Sequence, residues 1–233
     1  MKNALITAAT KGMGRAIAIG FAREGINLAI CARTSDHLAD FKNELSAINP
    51  NIKIFTSVTD CSIKQQVLDF AAEAERQFGF ISIIVNNVGV YTYSSILDDG
   101  EETFENHINT NLAPAYWLYR YFGKKMIAAR EGHIFNICSA ASLNPIAEAG
   151  TYSVTKYALL GLNKVMRLEM QQYGVKVTAI IPGSTLTNSW DGVEVDKDKM
   201  VLPGDIASAI INIYRMSVGV NVDEIVIKPI TGL

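Results

Sequence analysis

The feature that most limits what this chain can fold into is a series of seven short, nearly continuous apolar runs, at 4–7, 27–32, 52–58, 81–86, 133–139, 175–181 and 224–227. Runs of this length, rich in Val and Ile and lacking the alternation of a half-solvated strand, predict strands buried on both faces. The stretches between them carry helical periodicity, and helices are expected near 13–24, 35–47, 63–77, 102–129, 152–172 and 204–217. Strand and helix in strict alternation make the expected class α/β, one parallel sheet of about seven strands covered by helices on both faces.

Length and charge narrow the reading. A single α/β domain accommodates 233 residues, so residues 1–233 are expected to form one domain, with no repeat, linker or low-complexity tract inside it. A net charge of -2 leaves no basic footprint for a nucleic-acid partner. No apolar run approaches the roughly 18 residues of a membrane span, and the apolar part of residues 1–7 is shorter than that of a secretion signal. Cys31, Cys61 and Cys138 show no metal-ligand spacing and predict buried thiols in a reducing cytoplasm. No metal site is expected.

Between the first apolar run and the first helix stands Thr7-Ala8-Ala9-Thr10-Lys11-Gly12-Met13-Gly14. Glycines at such a turn let the backbone approach a pyrophosphate, and the following helix offers free N–H groups and a partial positive charge. Strand, glycine turn, helix and strand within the first 32 residues is the doubly wound, Rossmann-like arrangement of a dinucleotide site.

A second pattern carries chemistry. In a helix Tyr152 and Lys156 stand one above the other, and a fixed cation within a few ångströms of a phenol favours the phenolate. Such a phenol serves as general acid or base. Tyr121 and Lys125 share the spacing, but thirteen residues before Tyr121 lies Ile108, whereas thirteen before Tyr152 lies Ser139, closing the run 133–138. Tyr121 and Lys125 therefore read as an ordinary exposed or interface pair, and Tyr152 and Lys156 as the chemical one.

The glycine turn, Asn86-Asn87-Val88-Gly89, Asn111, Ser139, Tyr152 with Lys156, and Pro182-Gly183 with Thr187 together resemble the short-chain dehydrogenase/reductase family over essentially the whole chain. Two positions depart from the family pattern: Ala8 stands where a glycine follows the threonine, and Val88 where the motif has alanine. These departures predict altered packing beside the adenosine half of the cofactor.

The resemblance implies hydride transfer between a nicotinamide and a carbonyl or alcohol carbon, with Tyr152 as proton donor, Ser139 holding the substrate oxygen, Lys156 acting on the phenol, and Asn111 fixing a water that leads to Lys156. It implies cofactor contacts from Thr7, Lys11, Gly12, Met13, Gly14, Arg33, Thr34, Asp60, Cys61, Asn87, Gly89, Tyr152, Lys156, Pro182, Gly183 and Thr187. The second strand ends without an acid before Asp36, and Arg33 with Lys11 suits the 2′-phosphate of NADP (NADPH). For Asp60 a helix N-cap is the plainer role, for Ser139 a hydroxyl satisfied by backbone, and for Asn111 an amide bonding a neighbouring carbonyl.

Alternatives are a non-catalytic NADP-binding sensor and a nucleotide-sugar epimerase or dehydratase. The chain keeps both Tyr152 and Lys156, against the first, and has only about fifty residues after Pro182, against the second. Tyr91, Tyr93, Asn144, Ile146, Trp190 and Met200 are candidate pocket residues, compatible with acyl thioesters, small ketones, sugars or sterols. Lys124, Lys125 and Arg130 offer docking charges for an acidic carrier protein, although Tyr173 stands where a further arginine would help. The polar stretch 188–199 reads as a mobile lid. Apolar residues on more than one face of the helix at 152–172, with Gly161 for close approach, predict a homodimer or homotetramer.

Overall fold

The computed structural model describes residues 1–190, 192 and 194–230. One sheet of seven parallel strands forms its centre: β1 (Asn3–Ile6), β2 (Asn27–Ala32), β3 (Ile54–Val58), β4 (Ile83–Asn86), β5 (His133–Ile137), β6 (Lys176–Pro182) and β7 (Glu224–Ile227). Their order is β3-β2-β1-β4-β5-β6-β7. The chain reverses direction across the sheet between β1 and β4, which pair from Ala4↔Ile83 to Ile6↔Val85. In open α/β sheets the ligand crevice lies outside the carboxyl ends of the strands at such a switch. Strands β1, β4 and β5 are buried along their whole length, as their lack of alternation predicts.

Two helical layers cover the sheet. On one face α1 (Gly12–Arg23), α2 (Ser35–Ile48) and α7 (Pro203–Tyr214) bury Ile17, Phe21, Phe41 and Ile210 against β1 and β2. On the other, α3 (Lys64–Phe78), α5 (Ala113–Ala129) and α6 (Gly150–Met170) bury Phe70, Phe122, Leu159 and Met166 against β4, β5 and β6. Among the described residues no helix is long and apolar enough to cross a membrane.

The helix expected over 102–129 is broken into three. A short helix α4 (Thr103–His107) passes into a π-turn at Ile108–Leu112 before α5 begins. Pro114 in the first turn of α5 lacks the N–H an uninterrupted helix needs, which suits a restart there. The π-turn carries Asn111.

Candidate active site

The glycine turn is built by its neighbours. Thr7, fully buried, accepts hydrogen bonds on Oγ1 from the amides of Asn87 (2.9 Å) and Val88 (3.0 Å). Asn87 Nδ2 donates to the carbonyls of Thr7 and Ala8, both at 3.0 Å. The turn after β1 is thus fastened to the end of β4. A Cβ on Gly14 would stand 2.5 Å from both the Ala8 oxygen and Asn87 Nδ2, so only glycine fits. Gly12 has φ +53°, and Ala8, at the position where the resemblance expects glycine, has φ 51°. An alanine therefore holds left-handed backbone, which the sequence did not reveal.

Helix α1 opens without a side-chain cap and without an acid in its first turn. Its first amides, including those of Gly12, Met13 and Gly14, have no intrahelical partner, the kind of helix start that can accommodate an anion. Thr187 Cγ2 lies 3.2 Å from the Cβ position of Gly12, which brings the segment after β6 over the same turn. Gly183 is fixed there by its amide, which donates to Ile227 O at 2.8 Å, and follows Pro182 at the end of β6.

Beside this turn opens a cavity of about 600 Å³ whose wall includes Lys11, Arg33, Thr34, Asp60, Cys61 and Gly89. Asp36 and its hydroxyl partner Ser35 do not line it; His37, one residue further along, does. Asp60 Oδ1 accepts from the amide (2.9 Å) and the hydroxyl (2.7 Å) of Ser62, and these bonds hold its carboxyl below the usual range, with the Arg33 charge a smaller contribution. The plain capping role of Asp60 thus exists, but it caps the turn before α3, whose N-cap residue is Ile63. The Cys61 side chain turns inward, its sulfur 3.7 Å from that of Cys31, and this contact with burial pushes its thiol well up. Cys61 offers the cavity backbone, not a reactive thiol.

The chemical pair sits at the carboxyl ends of β4 and β5. Lys156 is buried, and Nζ donates to Ile137 O at 2.9 Å while lying 5.7 Å from the centroid of the Tyr152 ring. Among the described residues no carboxylate pairs with it. Asn111 Oδ1 accepts from the Val90 amide at 2.7 Å; Nδ2 donates to Val90 O at 3.0 Å and to Thr155 Oγ1 at 3.1 Å. The Asn111 side chain is consumed in holding the backbone after Gly89 against α6. A Cβ at Gly89 would stand 3.4 Å from Asn111 Oδ1 and 3.5 Å from Lys156 Nζ, so the Gly89 backbone lies directly beside both groups.

Ser139 stands two residues beyond the carbonyl that anchors Lys156. Its Oγ accepts from the Ala141 amide at 3.1 Å, and its own amide donates to Ser142 Oγ at 3.1 Å. The backbone thus takes up its acceptor role and leaves the hydroxyl proton as the donor. Tyr91 packs edge-on against Tyr152, ring centroids 5.0 Å apart, and burial followed by the nearness of Tyr152 raises its phenol pKa.

Other candidates fall elsewhere. Met200 is buried, at 7% exposure, and lines neither the cavity beside Arg33 nor the groove between α1 and α7. Trp190 donates through Nε1 to Thr185 O at 3.0 Å and lines that groove. The stretch 188–199 forms short turns at Asn188–Trp190 and Lys197–Lys199; Asp191 and Val193 lie outside the described residues. Lys125 Nζ lies 3.9 Å above the Tyr121 ring and, like Tyr121 Oη, donates to Glu75, a cluster between α5 and α3. Thr155, between the two chemical residues, was missed as the partner of Asn111; its place on a predicted helix facing the sheet was the available signal. Among the described residues no group of His, Cys, Asp and Glu is placed to hold a metal ion.

Comparison with known proteins agrees with this geometry. The chain is 31% identical over 236 residues to sepiapterin reductase of Chlorobaculum tepidum, covering 98% of this chain and 96% of that protein. It is 28% identical over 229 residues to an uncharacterised oxidoreductase of Staphylococcus saprophyticus, covering 98% and 97%. Among solved structures, an alcohol dehydrogenase of Thermococcus sibiricus complexed with 5-hydroxy-NADP superposes with a TM-score of 0.91 at 27% identity, covering 99% of this chain and 97% of that one. A metagenomic short-chain oxidoreductase in complex with NADP gives 0.86 at 28%, with the same coverage. Residues 2–198 match the short chain dehydrogenase family, and the chain, with its uncapped glycine turn and its Tyr152 and Lys156 at the end of β5, belongs to that family.

Proposed function

We propose that the protein is an NADP(H)-dependent oxidoreductase that interconverts a carbonyl and a secondary alcohol. The observation that carries this reading is Lys156, buried, with no carboxylate partner among the described residues, and anchored on Ile137 O beside the Tyr152 ring. A buried cation is costly unless something uses its field. A phenol passing its proton to a developing alkoxide is such a use, because the phenolate left behind is stabilised by the ammonium.

The residues present fit the cofactor. The uncapped start of α1 suits the pyrophosphate, and the 600 Å³ cavity suits an adenosine half, with Arg33 and Lys11 on its wall for a 2′-phosphate. The two solved relatives complexed with NADP or its derivative support the same choice. The nicotinamide, once bound, supplies or receives the hydride. The chain's part is proton handling and charge stabilisation: Ser139 donates its free hydroxyl proton to the substrate oxygen, and Tyr152 transfers a proton to it. Asn111 positions the Gly89-Val90 backbone and Thr155, which keeps the π-turn and α6 in register around Lys156.

The exposed residues Val154, Tyr157, Gly161, Val165 and Leu168 follow one another at helical spacing along α6, and no Cβ contact is present at Gly161. This apolar stripe is the surface on which a second copy docks. Tyr152→Phe tests the chemistry. Turnover of every carbonyl in a panel, followed by NADPH absorbance, falls at least about 10³-fold while NADPH affinity changes less than about threefold. Retained turnover would remove the assignment.

A further inference from the structure

Within the reductase reading, we infer that the substrate is an uncharged or cationic carbonyl compound with a flat aromatic body, and that anionic carbonyls are excluded by the charge of the two segments that frame Tyr152. The first segment runs from Val90, beyond the end of β4, through α4; the second joins β5 to α6. They are tied together at the catalytic tyrosine: the Tyr91 ring meets the Tyr152 ring, the Gly150 amide donates to Ser94 O at 3.2 Å, and Thr151 Oγ1 donates to Asp99 Oδ2 at 2.5 Å.

Between Arg76 and Arg120, and again between Arg130 and Lys156, the sequence has no Lys or Arg. Within these ranges, residues 90–107 and 138–149 carry six acids, Asp98, Asp99, Glu101, Glu102, Glu105 and Glu148. Against a whole-chain charge of -2, these six leave the remaining residues a net +4, so charge is segregated. Among the described residues none of the six has a cationic partner, and five are exposed, with Asp99 half-buried. Glu148 is near enough to Tyr91 to help raise its phenol pKa. Fields from several like charges around a cleft add, concentrating ligands of opposite sign and repelling those of the same sign.

The apolar groups on this rim set the body of the ligand. Tyr91, Tyr93, Leu143 and Ile146 are exposed around the mouth, and Tyr91 with Tyr152 presents two aromatic rings at 76°. Rings so placed receive a planar partner by stacking or edge contact. Phosphorylated pantetheine thioesters and acidic carrier proteins meet the wrong sign here. Of the basic residues considered for such docking, Lys125 is moreover already bonded to Glu75.

The test uses three ketones of similar shape: 4-acetylbenzoate, 4-nitroacetophenone and 4-acetyl-N,N,N-trimethylanilinium. Their kcat/KM values with NADPH are measured at about 20 mM and about 500 mM salt, where screening differs severalfold in range. The cation-to-anion ratio falls at least about tenfold on going to high salt, and reading the ratio against salt cancels intrinsic reactivity. The combined variant Asp98→Asn, Glu101→Gln, Glu102→Gln, Glu105→Gln reduces that salt effect by about threefold or more. Quenching of bound NADPH fluorescence by the same ketones gives the order independently of turnover. Charge-ordered binding without turnover would leave this inference standing and remove the reductase reading. Turnover or binding indifferent to charge and salt, or no binding of any of the three, would overturn the inference itself.

Discussion

Replacing Ala8 by glycine should stabilise the protein, the reverse of the usual effect of glycine. Ala8 has φ 51°, in the left-handed region where an L-residue's Cβ crowds the following carbonyl at a cost of about 1–2 kcal/mol. The backbone there is not free to relax: Ala8 O accepts from Asn87 Nδ2, and the next amide, Ala9 N, donates to Cys31 O at 3.0 Å. Glycine removes the crowding but restores about 0.4–1 kcal/mol of unfolded-state entropy, so the net gain is about 0.5–1 kcal/mol. For a chain of this size that is a rise in Tm of about 1–3 °C. The assay is urea unfolding at constant m, with Ala9→Gly as control. Ala9 is fully buried where Ala8 is half-buried, and it is not left-handed, so its replacement should lose about 1 kcal/mol. Arg130, the other described non-glycine residue in this region, ends α5 at φ 51° and should respond to glycine with the same sign and no change in nucleotide affinity. Equal destabilisation by Ala8→Gly and Ala9→Gly would refute the reasoning, because it would place Ala8 in ordinary backbone.

Three further outcomes follow from the geometry. Gly14→Ala puts a methyl 2.5 Å from a fixed carbonyl and an amide nitrogen, and should cost about 2–3 kcal/mol by unfolding and weaken NADPH binding at least about tenfold by calorimetry. His133 is buried, bonded through Nε2 to Thr178 Oγ1 at 2.9 Å, and burial, with a smaller push from Lys176, lowers its pKa to about 3. The unfolded chain binds the proton near pH 6.5 and the native one only near 3, so stability is full above 6.5. It falls by about 1.4 kcal/mol per pH unit as pH drops through that window; His133→Gln should flatten the slope, and parallel pH–stability curves would contradict it. Arg33→Asp should lower NADPH affinity about tenfold or more and raise that for NADH; an unchanged ratio of the two would mean that the guanidinium does not meet the 2′-phosphate.

The sheet was legible because its signal is redundant: seven apolar runs, each bracketed by helical periodicity, leave little choice of class, and the parallel order follows from strand-helix alternation. What the sequence hid is local. A π-turn adds one residue to a helix without disturbing composition, so Ile108–Leu112 looked like uninterrupted helix around Asn111. Alanine at position 8 concealed a left-handed backbone that a glycine would have announced. Met200 and Trp190 were placed at the pocket by chain position alone, which does not fix which way a loop side chain turns. The acids of the Tyr152 rim were visible as letters, but residues 98–105 and Glu148 come together only through the Ser94, Asp99 and Tyr91 contacts.

Three polar side chains around the crevice share one structural logic. Each is held by the backbone at the carboxyl end of a neighbouring strand or in the turn that follows it: Asn87 by the carbonyls after β1, Asn111 by Val90 after β4, Lys156 by Ile137 O at the end of β5. Because all seven strands are parallel, those ends lie on one edge, and a side chain anchored on any of them inherits the rigidity of the sheet. Behind this edge a chain of buried amides runs from Asn86 Nδ2 to Asn136 Oδ1 at 2.7 Å, and from Asn136 Nδ2 to Asn163 Oδ1 at 2.8 Å, joining β4, β5 and α6. Its two ends, Asn86 Oδ1 and Asn163 Nδ2, lack partners among the described residues, and each such atom costs about 1–3 kcal/mol that an apolar side chain would not incur. Stability alone therefore does not account for three asparagines there. Directionality does: an apolar contact permits α6 to slide along the sheet by a fraction of an ångström, whereas an amide bonded to Asn136, one residue before the carbonyl that holds Lys156, does not.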